Sequence, residues 1–183
     1  MIRPGEVSYQ FSSVHDTPAA PPGIVAEWQV SEPFAPTDGL GTGLRDRVAA
    51  EDGWRTVPAE PSGLLVLDQY VKRAPEGQPS VVLARVVVNA ETEGTRIFHV
   101  GYSDVATVFL NGTPLFTGDA HYSFDNPRQE GLIALTQGAL HLPLHKGRNV
   151  IVVAVADVFG GWGVMGQFED MGGLAVESGS GSR

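Results

Sequence analysis

At residue 24 the chain takes up the period-two placing of apolar positions that sends successive side chains to opposite faces of a strand. In IVAEWQV, residues 24–30, this pattern puts Ile24, Ala26, Trp28 and Val30 on one face. A break rich in glycine and proline follows, SEPFAPTDGLGTG. LRDRVAA, residues 44–50, then predicts one or two helical turns and is the only helical candidate. Beyond Gly53 the chain reads as strand after strand: WRTVPA, LLVLDQYV, SVVLARVVVNA, TRIFHVGY, VATVFL, TPLFTG, GLIAL, ALHLPL, RNVIVVAVADVF, GVMGQFED and GLAVE. VATVFL and TPLFTG flank Asn111-Gly112, a pair suited to a two-residue type I′ turn because both central positions need positive φ. Short strands at this spacing predict an all-β fold, a β-sandwich of two antiparallel sheets. NVIVVAVADV is apolar on both faces, so it should be a central strand with one face on the core and the other under loops or an N-terminal arm.

Composition narrows the picture. The 183 residues suit one sizeable domain, and 23 glycines with 13 prolines suit many turns. The expected organisation is an arm over residues 1–22 with a short strand at 8–12, a sandwich over 23–177, and a flexible tail over 178–183. A net charge of -9 repels phosphate backbones and anionic lipids, which argues against nucleic-acid and membrane-surface partners. The chain has no cysteine, which excludes disulfides and thiolate chemistry. No apolar run reaches membrane-spanning length, and MIRPGEVSYQ has no apolar core of the signal-peptide type.

Four stretches carry a resemblance: SDVATVFLNGTPLF, HYSF, LPLHKGRNVIVVAV and GGWGVMGQFED. Together they resemble the second half of a galactose-binding-like jelly roll. The family is that of the sugar-binding domain of family 2 glycoside hydrolases and related carbohydrate-binding modules. Asn111 and Gly112 match the hairpin, and Leu144, Gly147, Asn149, Ile151 and Val153 match a G-x-N strand. Gly160, Gly161 and Trp162 match a glycine-aromatic turn. The likeness covers about residues 80–177, with a looser echo in AEWQVSEPF. It implies a jelly-roll β-sandwich acting as a non-catalytic accessory module that binds carbohydrate. It leaves the compartment open, extracellular or periplasmic if the domain belongs to a glycan-processing protein. Modules of this kind often hold a structural calcium.

Sugar recognition needs a flat aromatic face against the ring's C–H groups and polar side chains for its hydroxyls. The expected ligand-binding residues are Trp162, Tyr122 and Trp54, with His121, Asp119 and Asp157 as polar neighbours. Each aromatic can equally pack a core or a sandwich end. GDAHYSFDN, just after the hairpin, is the densest group of such residues, and loops on a rigid scaffold are where binding residues collect. Calcium takes six to eight oxygens, and Asp119, Asp125 and Asn126 are the candidates. His141 and His145 are four apart, but the proline between them makes the segment a strand and removes a helical zinc pair. Paired groups such as Asp119 with His121, or Glu169 with Asp170, admit a hydrolase or lyase, although no catalytic motif is present. A structural or protein-interaction domain, bound to a neighbouring domain or to a second copy, is the remaining alternative.

Overall fold

The computed structural model describes residues 20–35, 42–73, 80–125, 131–158 and 160–177. In chain order these residues form β1 (Glu27–Val30), α1 (Thr42–Val48), β2 (Arg55–Pro58), β3 (Leu65–Val66), β4 (Ser80–Ala90), β5 (Gly94–Ser103) and β6 (Val105–Leu110). They continue with β7 (Thr113–Asp119), β8 (Gly138–Leu144), β9 (Gly147–Asp157), β10 (Gly163–Phe168) and β11 (Leu174–Val176). The larger sheet runs β2-β1-β4-β9-β6-β7, with β11 also on β4, and the smaller runs β3-β10-β5-β8. Every strand pairing among the described residues is antiparallel. The fold is the all-β sandwich that the spacing of short strands predicts. From β4 onward the chain changes sheet at every connection except the β6–β7 hairpin.

The spine is the pairing of β4 with β9, in register from Ser80 opposite Asp157 to Ala90 opposite Gly147. Both strands are apolar on both faces because both faces are covered. Val82, Val86, Val88, Ile151, Val153 and Val155 point inward to Phe98, Val100, Leu142, Val164 and Phe168 of the smaller sheet. Val81, Leu83, Val152 and Ala154 point outward, where Leu44 and Val48 of α1 pack on them together with Phe34 and Trp54. A seven-residue helix is too short to persist alone in water. Burying Leu44 and Val48, one turn apart on the sheet-facing side, contributes about 1.5–3 kcal/mol each.

The hairpin and the G-x-N strand are one device. Asn111 and Gly112 have φ of 49° and 79°, as a type I′ reversal requires. The Asn111 amide donates to Asn149 Oδ1 (3.1 Å), while Asn111 Oδ1 accepts from Val150 N (2.8 Å). Asn149 is fully buried and donates to the carbonyls of His145 (2.8 Å) and Gly147 (3.0 Å). Its oxygen also meets His145 N (3.1 Å) and His145 Nδ1 (2.6 Å), which fixes the proton of that imidazole on Nδ1.

Four local expectations change. Residues 23–25 join the smaller sheet, with Val25 N donating to Gly166 O, before β1 joins the larger one. The alternation therefore changes phase: Val25 is buried and Ala26 exposed. LLVLDQYV is strand only at Leu65–Val66, then a 3-10 turn over Leu67–Gln69. GLIAL is not a strand. The backbone of Ala134 crosses Gly101 so closely that a Cβ there would lie 2.7 Å from it. The Gln137 side chain completes this crossing by accepting from Tyr102 N (2.9 Å) and donating to Tyr102 O (3.0 Å), the work of a missing strand. The helix begins two residues earlier than expected and ends at Val48. The expected strand at 8–12 and the tail at 178–183 lie outside the described residues.

Candidate functional site

Asp119 ends β7 opposite Val105, which lies opposite Ala156 of β9. The GDAHY segment, the Ser103-Asp104 corner and the end of β9 therefore share one end of the sandwich. The Asn111-Gly112 turn lies at the other end, about 20 Å away along β7. Five of the six expected ligand-binding residues gather at the GDAHY end.

Trp162 is a correction to the expectation. It is 1% exposed and belongs to the inner core, with its indole N–H donating to Val155 O (3.2 Å). The flanking glycines resemble a loop, but β10 starts at Gly163 and the preceding side chain is drawn inward. It presents no platform to a ligand. Asp157 is also turned inward, with a side chain 13% exposed. Arg73 Nη1 approaches its Oδ1 at 3.1 Å, an ionic contact without hydrogen-bond alignment. Burial pushes the Asp157 carboxyl above its usual range; Arg73 opposes the rise, and Asp104 and Asp68 add to it.

The arginine itself ties three segments together. It forms a two-pronged pair with Asp68 (2.6 Å on each arm) and donates to Gly160 O (2.6 Å). Its guanidinium lies 5.9 Å from the Trp162 ring centre. Asp104, fully buried, accepts from Ser103 Oγ (2.8 Å) and Val158 N (2.5 Å). Sequence reasoning missed Asp68, Arg73 and Asp104, because an exposed-looking DQYVKR and a corner SD carry no motif. His121 Nδ1 lies 2.5 Å from Asp119 Oδ1, which also accepts from His121 N (3.2 Å). Tyr122 is 39% exposed and meets Phe124 edge to face at 4.8 Å. Asp125 is exposed, and Asn126, the third expected calcium residue, lies outside the described residues. Among the described residues no three acidic or histidine side chains are grouped as metal ligands.

Trp54 stands elsewhere, on the outer face of the larger sheet. It borders a groove of about 220 Å³ with Ser31, Glu32, Phe34, Arg47 and Asp52. Leu83 of β4 floors it, and Ala50 and Gly53 complete the wall. The groove is where the chain leaving β1, the end of α1 and the loop into β2 meet over the sheet. Both aromatic walls are half-buried, and each carries a guanidinium: Arg47 lies 4.2 Å over Phe34, and Arg85 lies 4.1 Å over Trp54. The Trp54 N–H donates to Ala50 O (2.9 Å). Among the described residues the carboxylates of Glu32 and Asp52 and the guanidinium of Arg47 make no hydrogen bond or ion pair. Sequence reasoning found Trp54 but none of its companions. They come from three separate segments that only the fold unites.

No protein-family model matches the chain, and no curated protein matches it either. Solved structures similar to it include a β-glucosidase from Kluyveromyces marxianus in complex with glucose, at 13% identity and a TM-score of 0.47. The match covers 76% of this chain and 16% of that one, so the chain spans a small part of that enzyme's length. A family 35 carbohydrate-binding module from an environmental isolate is similar at 15% identity and a TM-score of 0.39, over 86% of this chain and 93% of that one. A PA14 domain of the antifreeze protein MpAFP is similar at 16% identity and a TM-score of 0.32, over 87% and 68% of the two chains. Likeness this distant carries neither a ligand nor an activity over to this chain.

Proposed function

We propose that this domain binds carbohydrate without transforming it, and that the outer-face groove beside Trp54 is the binding site. The observation that carries the reading is the composition of that groove. Two aromatic walls stand beside two carboxylates and a guanidinium, and those three charged groups make no side-chain hydrogen bond or ion pair among the described residues. A pyranose has an apolar C–H face and a rim of hydroxyls. Trp54 and Phe34 offer a surface to the first, and Glu32, Asp52 and Arg47 offer acceptors and donors to the second. Partial enclosure by Leu83 and Ala50 lowers the local dielectric and strengthens each such bond. The GDAHY end serves the architecture in this reading, because Asp104, Arg73 and the Asp119–His121 pair are bonded within the fold and Asp157 is in ionic contact with Arg73.

The test is a glycan array followed by calorimetry on the hits, with wild type beside Trp54→Ala and the paired variant Glu32→Gln/Asp52→Asn. Binding by wild type, weakened about tenfold or more in both variants, is expected, since each loses contacts worth roughly 1.4 kcal/mol or more. An empty array, or hits that both variants retain at full strength, would overturn the reading. The paired variant separates loss of contact from loss of fold, because both carboxylates are free of structural partners among the described residues.

A further inference from the structure

β4 poses a problem that sugar binding alone does not answer. In SVVLARVVVNA, nine of the eleven side chains are neither charged nor amide-bearing. At the centre stands Arg85, 7% exposed. Burial lowers its pKa, and the carboxylate of Glu51 is 4.0 Å away and itself exposed. Removing a guanidinium from water is costly, and a well-packed apolar residue in such a place is often neutral or stabilising. Stability therefore does not account for an arginine here.

Its contacts do. The Arg85 side chain leaves the outer face of the sheet and stacks on the indole of Trp54 at 4.1 Å. Its Nε donates to Gln29 Oε1 (2.7 Å), and its Nη1 donates to Ala50 O (3.2 Å). That same carbonyl accepts the Trp54 indole N–H at 2.9 Å. One backbone oxygen thus fixes the edge of the ring and the plane of the cation beneath it, while Gln29, on the neighbouring strand, stops the guanidinium from turning. Arg85 does not line the groove; Trp54 and Ala50 do.

We propose that Arg85 is a positioning residue for Trp54, a rigid brace rooted in the central sheet that holds the indole wall of the groove in one orientation before any ligand arrives. The proposal rests on the groove being the binding site, and it names how that site is pre-organised. A ring held in place in advance loses less freedom on binding, which raises affinity without adding a contact. Lysine cannot substitute, because an ammonium has neither the plane to stack nor the fork to reach Gln29 and Ala50 together.

The experiment compares Arg85→Met and Arg85→Lys with wild type by acrylamide quenching of tryptophan fluorescence in the ligand-free protein. Trp28 and Trp162 are 0% and 1% exposed, so the quencher reads Trp54. The quenching constant is expected to rise about twofold or more in both variants, with far-UV dichroism unchanged, as a locally freed ring would show. Titration with neutral cello-, xylo- and manno-oligosaccharides should show affinity about tenfold weaker in both variants for whichever sugar wild type binds. Unchanged quenching in a folded variant would overturn the brace, and so would a fall in thermal midpoint with no change in native-state quenching. If Arg85→Met does not fold, Arg85→Lys decides alone. A wild-type protein that binds none of the sugars overturns the groove reading, while the quenching comparison still settles whether Arg85 holds Trp54.

Discussion

The GDAHY end of the sandwich and the groove over β4 contain much the same chemistry, carboxylates, arginine and aromatic rings, yet they use it in opposite ways. At the GDAHY end the charges are turned on one another: Arg73 holds Asp68, Asp157 and a loop carbonyl, and Asp104 caps the backbone of Val158. In the groove, Glu32, Asp52 and Arg47 face a concavity and make no side-chain hydrogen bond or ion pair among the described residues, Arg47 lying only over the Phe34 ring. A polar group satisfied within the fold builds structure, whereas one left open beside an aromatic wall is available to a ligand. The density of polar residues in the sequence does not distinguish the two; their partners do.

Substitutions can test this contrast. The largest effect is expected from Trp162→Ala, which empties a core site and should cost about 3–5 kcal/mol in urea denaturation. A stable Trp162→Ala protein that has lost only sugar binding would return the site to the GDAHY end. Next comes Asn149→Ala. It strips the partners of His145 N and of the Asn111 amide at the opposite end of β9, and each group left unsatisfied costs about 1–3 kcal/mol. Denaturation should show the loss with the groove still competent in any folded fraction.

Asp157 gives a smaller, pH-dependent effect of opposite sign. Its folded-state pKa is raised, chiefly by burial. The folded protein therefore holds this proton at pH values where the unfolded chain has released it. Asp157 then disfavours the fold above its folded pKa, and that penalty is gone below its unfolded pKa. Asp157→Asn should raise the denaturation midpoint at neutral pH and flatten its rise on acidification. A lower midpoint at neutral pH would mean that the contact with Arg73 outweighs desolvation. The smallest effect on stability is expected from Glu32→Gln and Asp52→Asn, within about 0.5 kcal/mol, as for surface side chains without partners.

Much of the scaffold was legible in the chain. SVVLARVVVNA read as a strand, NVIVVAVADV, apolar on both faces, read as a central strand, and Asn111-Gly112 placed the reversal between β6 and β7. The resemblance picked out Asn149, although its bond to Asn111 joins residues 38 apart. Local pattern failed where distant backbone took over. Residues 23–25 follow β10 before β1 begins, and residues 131–137 are held by the Gln137 amide instead of a ladder. Trp162, between glycines, had the look of a loop residue, and its inward direction is set by register with β3 and β5. The groove was legible only at Trp54, because Phe34 and Arg47 reach the groove, and Arg85 reaches the back of Trp54, from separate parts of the chain.

The three tryptophans give the most direct test of where a sugar sits, since each contributes one indole N–H signal to a nitrogen-correlated spectrum. A bound glycan should shift the Trp54 indole signal together with the amides of Glu32, Phe34 and Asp52, leaving the Trp162 indole, Tyr122 and His121 in place. Shifts confined to Tyr122, His121 and their neighbours, with Trp54 unmoved, would contradict the groove and put the ligand on the GDAHY loop.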